Sequence, residues 1–139
     1  MFPDMRCVLF GMLFFAGFLA FGQGSTSLHT KNKKAIKQYQ EANYHIKLRQ
    51  FAEALNKLGD AVERDPDFLE AHLRMAFCYE VLREFRLQQV HLEEVVRISP
   101  KNPRYKNVYY SLGRGYFDQG KYEKAREMLQ ILYELGISN

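Results

Sequence analysis

The chain contains no tryptophan and only two cysteines among its 139 residues. Cys7 lies in the apolar N-terminal stretch, so loss of that stretch would leave Cys78 without a partner for an internal disulfide. Cys78 lies within the apolar sequence Met75–Tyr79, and no histidine or other base stands at helical spacing to activate its thiol. We therefore expect Cys78 to be buried and unreactive.

Catalytic and metal-binding signatures are also lacking. Neither an HExxH motif nor another spacing typical of metal ligands is formed by the histidines His29, His45, His72 and His91. Gly113 and Gly115 are not followed by the third glycine of a phosphate loop. Glu93 and Glu94 are adjacent and so point to different sides of a helix, and His91 beside them is interpreted as part of a solvated helix face. The sequence predicts no enzyme activity, cofactor, metal site or small-molecule substrate.

Strong charge of one sign is absent as well. The net charge is +4, and basic and acidic residues alternate along the predicted helices. Because a nucleic-acid-binding surface needs basic residues on one face, no nucleic-acid partner is predicted. The densest basic group spans residues 31–37 and follows the apolar N-terminus, a position suited to contact with anionic lipid or to the flank of a translocated segment.

One long apolar run is present at the N-terminus. Residues 7–22 contain no charged or strongly polar side chain, but the run is shorter than the roughly 20 residues of a spanning helix. Ala20 and Gly22 place small residues at positions −3 and −1 of a signal-peptidase site, before Gln23. We predict a signal peptide over 1–22, a polar linker over 23–33, and export to the periplasm or outer membrane. An uncleaved membrane anchor is the alternative.

Three segments share one pattern of small and large residues. Ala42 and Ala76 are 34 residues apart, as are Phe51 and Phe85, whereas Ala76 and Gly113 are 37 apart. Three residues are therefore added between 101 and 106. A period near 34 is typical of helix–turn–helix repeats. Six helices are predicted, over residues 30–48, 51–64, 67–82, 85–98, 103–118 and 122–135.

The recurring positions have physical reasons within such a unit. Small residues are expected where two helices cross closely: Ala42, Ala54, Ala76, Gly113 and Ala125. Large aromatic side chains are expected to fill the spaces between helices: Phe51, Tyr79, Phe85, Tyr116 and Tyr122. Asp67 and Glu70 form a capping-box pattern for the third helix. Asn102 followed by Pro103 predicts the start of the fifth.

The sequence resembles the tetratricopeptide repeat (TPR) family, most clearly over Gly113–Ala125, which reads GRGYFDQGKYEKA. The resemblance covers residues 34–139 and implies an all-α, right-handed solenoid of three repeats at about 35–68, 69–102 and 106–139. Gln38 and His72 depart from the family, which usually has a large apolar residue at these positions.

The order of a signal peptide, the stretch Asn32–Ala42 and then TPRs also resembles certain Bacteroidota envelope proteins. In those proteins the TPRs precede a β-propeller and an OmpA-like domain that grips peptidoglycan. This narrower resemblance implies the role of a periplasmic interaction module.

The TPR resemblance also implies where a partner would bind, because contacts in this family come mostly from the first helix of each repeat, on the concave side. The matching positions are Tyr39, Asn43, Lys47, Leu73, Phe77, Glu80, Tyr110, Arg114 and Phe117. Among the residues mapped to this side, only Asn43, Lys47 and Arg114 are of the kind that grips a terminal carboxylate. We therefore expect an apolar groove for an amphipathic helix or an extended peptide.

The end of the third repeat suggests a second hypothesis. A solenoid usually finishes with a helix whose outer face is polar, so Ile131, Leu132 and Leu135 are expected to leave apolar surface uncovered. A partner, self-association or further chain would cover it. The first function hypothesis is a non-catalytic adaptor or scaffold of the bacterial cell envelope that binds envelope proteins. The second is a structural subunit, or the N-terminal part of a larger OmpA-like, peptidoglycan-associated complex.

Overall fold

The computed structural model describes residues 27–137, which form six α-helices joined by short turns. The helices are α1 (Lys33–Lys47), α2 (Phe51–Arg64), α3 (Leu69–Val81), α4 (Phe85–Ile98), α5 (Lys106–Asp118) and α6 (Tyr122–Ile137). Their ends lie within three residues of the predicted bounds, and the described residues contain no strand. The predicted signal peptide at 1–22 and the first part of the predicted linker lie outside the described residues.

Consecutive helices pair as three hairpins, α1 with α2, α3 with α4 and α5 with α6, and the hairpins stack through contacts of α2 with α3 and α4 with α5. The predicted small residues lie at the crossings, where Ala42 and Ala76 are buried. A β-carbon added to Gly113 would lie 3.0 Å from two side-chain carbons of Leu129 in α6. Glycine therefore lets α5 and α6 approach closely, which confirms the prediction made from the repeat.

Two apolar clusters form the core. The first joins α1, α2 and α3 and includes Ala35, Leu58, Phe68 and Cys78. The second joins α3 to α6 and includes Leu69, Val95, Leu112 and Ala125. Burial raises the pKa of the Cys78 thiol to about 11, so the thiolate is scarce near neutral pH, as the sequence predicts.

Each hairpin turn contains one residue with left-handed backbone. Arg49 and Arg83 have φ of 59° and 60°, and Gly120 has φ of 73° in the third repeat. Glycine adopts this conformation without steric cost, whereas a side chain makes it less favourable. In each turn the amide of this left-handed residue donates a hydrogen bond to the carbonyl three positions back, which belongs to Ile46, Glu80 and Phe117 in turn. The three repeats therefore share the same turn geometry.

The three residues added between the second and third repeats form a single turn of 3₁₀ helix, Pro103–Tyr105. Asn102 begins this turn, since its side-chain oxygen accepts a hydrogen bond from the Arg104 amide at 3.0 Å. The Lys101 amide donates to the buried Tyr109 hydroxyl at 2.6 Å. The predicted start signal is thus confirmed, and α5 follows directly at Lys106.

The predicted capping box of the third helix is wrong. Phe68 stands at the N-cap of α3 and no side chain caps the helix there. Asp67 forms an ion pair with Arg97 of α4 at 2.6 Å. Glu70 contacts His29, 41 residues earlier in the chain. Both carboxylates find tertiary partners in place of the local amides.

Two aromatic residues and one leucine also differ from expectation. Phe85 and Tyr122 are largely exposed at the starts of α4 and α6, although the Tyr122 ring contacts a ring of α5. Leu135 is buried, because the last turns of α6 still pack against the domain. Towards its C-terminal end, α6 exposes the large apolar side chains of Leu129 and Tyr133.

Candidate partner-binding face

The nine predicted contact residues all lie on the first helices of the three hairpins, α1, α3 and α5. We call the surface that these positions define the first-helix face. Its composition changes along the solenoid. The apolar position of the first repeat, Tyr39, packs against the core, whereas Phe77 of the second repeat and Tyr110 and Phe117 of the third are exposed.

Three aromatic side chains dominate the open part of the first-helix face. Phe77 is 41% exposed, Tyr110 is 54% exposed and Phe117 is 60% exposed. Phe51 meets the Phe77 ring edge to face at a centroid distance of 6.4 Å, and Tyr122 meets Phe117 in the same way at 5.5 Å. These contacts restrain two of the three rings while leaving surface for a partner.

Tyr39 and Leu73 belong more to the core than to the surface. The Tyr39 ring lies 5.0 Å from that of buried Phe68, and Tyr39 packs against the first cluster. Leu73 packs against the second cluster. Both are half-buried, so they support the first-helix face and offer a partner only part of their surface.

The polar members of the face are open to solvent. Lys47, Glu80 and Arg114 are exposed, and Asn43 is half-buried. Within the described residues, no ion pair engages Lys47, Glu80 or Arg114. Their charges are therefore available to a partner, and both signs are present.

A short segment before α1 packs against the first core cluster, which sequence reasoning missed. Leu28 packs against the first cluster, and Thr30 is buried. Asn32 caps α1 through hydrogen bonds to the amides of Lys34 and Ala35, at 3.0 and 3.2 Å. The asparagine is a standard cap residue, so its role could have been found from the sequence. The contacts of Leu28 could not.

A histidine pair lies between α3 and α4, and it corrects the interpretation of His91 as part of a solvated face. His72 is buried, and its Nδ1 lies 3.0 Å from Nδ1 of His91. The His91 ring stacks on Tyr79 at 5.6 Å with an interplanar angle of 6°. Burial, and then the neighbouring His72, lower the pKa of His91 to about 4.

The described residues contain no group of three or more side chains that could hold a metal ion.

None of the described helices combines the length and the apolar character that crossing a membrane requires. The predicted apolar run at residues 7–22 lies outside this part of the chain.

Residues 39–87 match the family model described as tetratricopeptide repeat. No curated protein sequence matches the chain significantly. Solved structures extend the likeness to most of the chain and show the fold, so the predicted all-helical, TPR-like solenoid is confirmed.

The first TPR of Spaghetti (RPAP3), bound to the HSP90 peptide SRMEEVD, is 22% identical with a TM-score of 0.62, over 80% of this chain and 86% of that one. MamA is 18% identical with a TM-score of 0.64, over 76% of this chain and 60% of MamA. The Sgt2 TPR domain from Aspergillus fumigatus is 19% identical with a TM-score of 0.58, over 75% and 67%.

Proposed function

We propose that this chain, which folds as a tetratricopeptide repeat solenoid, is a non-catalytic protein-interaction module that binds a segment of a partner protein on its first-helix face. The observation that carries the proposal is the row of Phe77, Tyr110 and Phe117. These side chains lie on the first helices of the second and third hairpins, at positions where the TPR resemblance predicts partner contacts, and they remain exposed.

Such side chains suit a binding surface energetically. Aromatic residues are over-represented among the residues that contribute most to protein interfaces, because they bury a large area with few rotatable bonds. Phe77 and Phe117 are already restrained by neighbouring rings. A partner that covers them therefore loses little additional side-chain freedom.

The mode of binding that we propose differs from capture of an acidic chain end. In the related RPAP3 structure the bound peptide is SRMEEVD. Here the predicted contact positions include Glu80 and four aromatic rings, and only Asn43, Lys47 and Arg114 suit a carboxylate. An amphipathic helix or an extended segment with large apolar anchors fits this composition better.

The proposed location is the bacterial cell envelope, with envelope proteins as partners. The support comes from the sequence, where residues 1–22 have the length, the apolar core and the small residues of a signal peptide. Mass spectrometry of the protein purified from fractionated cells tests this location. An N-terminus at Gln23 in the periplasmic or outer-membrane fraction is expected, and an unprocessed chain in the cytoplasmic fraction would contradict export.

A second candidate function is assembly as a structural subunit, or as the front of a longer OmpA-like complex, through the end formed by α6. The exposed side chains of Leu129 and Tyr133 favour it, because they form apolar surface on the last helix of the solenoid. Leu132 is half-buried beside them.

Two matched variants separate the candidates, since Tyr110 is 54% exposed and Tyr133 is 65% exposed. Crosslinking and pull-down from native envelopes should lose partners with Tyr110→Glu and retain them with Tyr133→Glu, while circular dichroism shows unchanged helicity. The reverse pattern would favour assembly through α6. Retention of all partners by both variants would contradict both candidates.

A further inference from the structure

The segment that enters α1 occupies one end of the first-helix face. The His29 amide donates to both carboxylate oxygens of Glu70, at 3.3 and 3.2 Å, and the His29 ring Nδ1 lies 2.9 Å from Oε1. Glu70 is in the first turn of α3, the helix that also carries Leu73, Phe77 and Glu80 of the first-helix face. We call residues 27–30 the strap.

The chemistry of this contact is specific. An ionised carboxylate only accepts hydrogen bonds, so Nδ1 of His29 carries the proton in this contact. One glutamate thus receives two donors from a single residue, a backbone N–H and a ring N–H. Leu28, the preceding residue, places its side chain against the first cluster, where Tyr39 and Phe51 also pack. The strap is therefore held by the aliphatic side chain of Leu28 and by the two hydrogen-bond donors of His29.

The strap has extended or irregular backbone without helix or strand, and residue 30 is buried where the segment turns towards α1. Asn32 then fixes the strap to α2, because its side-chain amide donates to the Arg64 carbonyl at 3.2 Å. The surface against which the strap lies combines parts of α1, α2 and α3. It is a composite site for a short extended segment.

We propose that this site, formed by Glu70 and the apolar seat of Leu28, binds an extended peptide with an aliphatic residue followed by histidine or a cationic residue. The strap is its built-in occupant and competes with any such partner segment. The proposal rests on the proposed function, because it assigns a peptide class to one end of the same face.

The balance between the strap and a competing peptide is close. The strap inserts one aliphatic side chain that stays half-buried, and the His29 side chain is 41% exposed. Because the His29 side is open to solvent, its contact with Glu70 is weaker than a buried one would be. Attachment to α1 nevertheless holds the strap at a high effective concentration, on the order of millimolar for a short tether. A free peptide must therefore bind better than the strap or meet a strap that has been weakened.

The test uses residues 23–139, which include every described helix. An opened variant carries Leu28→Asp and His29→Gly, and the probe is a fluorescently labelled peptide with the sequence of residues 25–30, STSLHT. Fluorescence anisotropy should show at least roughly tenfold tighter binding to the opened variant than to the unmodified chain, because the tethered competitor is gone. A peptide with aspartate in place of leucine should not bind.

Further variants keep the result interpretable. Glu70→Ala in the opened variant should weaken peptide binding about tenfold, whereas Leu87→Glu should leave it unchanged, because Leu87 is exposed on α4 and lies outside the first-helix face. If the double change impairs folding, His29→Gly alone is used. The peptide should still bind this variant more tightly than the unmodified chain, with a smaller difference than for the double change. Equal affinity of the folded opened variant and the unmodified chain would overturn the proposal. If the opened variant binds the peptide as expected but Tyr110→Glu does not reduce the capture of envelope proteins, the proposed function alone is overturned.

Discussion

The histidine pair between α3 and α4 makes stability depend on pH in a way that can be calculated. Nε2 of His72 lies 2.9 Å from the Pro66 carbonyl, so Nε2 must carry the proton and Nδ1 of neutral His72 is an acceptor. Nδ1 of His91 lies 3.0 Å from this acceptor and must be the donor. A proton added to His91 would place a charge on a ring that stacks on Tyr79 and lies beside His72.

The size of this change in stability follows from the pKa of His91. Burial, and then the neighbouring His72, lower this pKa from 6.5 to about 4, while the charge of Glu94 acts in the opposite direction. Because the pKa is lower in the folded state, the stabilisation is fully present above the unfolded-state value of 6.5 and is lost as pH falls towards 4. With 1.36 kcal/mol per pKa unit, the free energy of unfolding should fall by about 2 kcal/mol between pH 7.5 and pH 5 from this residue.

The assay is urea unfolding followed by circular dichroism at these two pH values. His91→Phe keeps an aromatic ring against Tyr79 but removes the titrating group, so its loss of stability on acidification should be about 2 kcal/mol smaller than that of the unmodified chain. His45→Gln is the control, because His45 is bonded to Gln50 at the exposed end of α1. An identical pH dependence in the His91→Phe variant and the unmodified chain would refute the reasoning.

Three further substitutions test the packing by urea unfolding. Gln38 has a buried side-chain oxygen without a hydrogen-bond partner, so Gln38→Leu should raise the free energy of unfolding by about 1 kcal/mol. The same change at exposed Gln40 should have little effect, and equal effects of the two substitutions would contradict this account. Gly113→Val should destabilise by about 1–3 kcal/mol more than Gly59→Val, since a β-carbon at Gly59 has no atom within 4 Å. Tyr116→Phe removes a 2.7 Å hydrogen bond to a glutamate of α4 and should cost about 1 kcal/mol; an unchanged midpoint would show that this bond adds nothing to stability.

The fold was predictable because its determinants are local and repeated. The spacing of Ala42, Ala76 and Gly113 gives the period, and the same spacing locates the three added residues that form the 3₁₀ turn. Each hairpin is closed by residues that are near in sequence, so the pattern of one repeat contains most of the information needed for its two helices. Helix bounds follow from this pattern to within three residues.

The predicted capping box failed because of distant partners. Asp67 and Glu70 satisfy a capping pattern in sequence, but Arg97 and His29 lie 30 and 41 residues away and hold them in the fold. A local pattern cannot show that a tertiary ion pair will compete for the same carboxylate.

The histidine pair was missed for a related reason. His72 and His91 are 19 residues apart and meet only because α3 packs on α4. One signal was available, because His72 stands where the TPR family usually has a large apolar residue. A polar ring at such a position needs a buried partner, and the helix that packs against it offered His91.

The contact residues remain predictions, but the structure divides them into two groups with different consequences for binding. Tyr39 packs on Phe68, Leu28 of the strap packs against the same cluster, and His29 contacts Glu70 at the start of α3, so the chain itself occupies the junction of the first and second repeats. Phe77 and Phe117 are open and restrained by their neighbours. A partner that binds only the open part needs no rearrangement, whereas one that extends over the first repeat must displace the strap. Affinity for a long partner segment should therefore depend on the strap, and affinity for a short one should not.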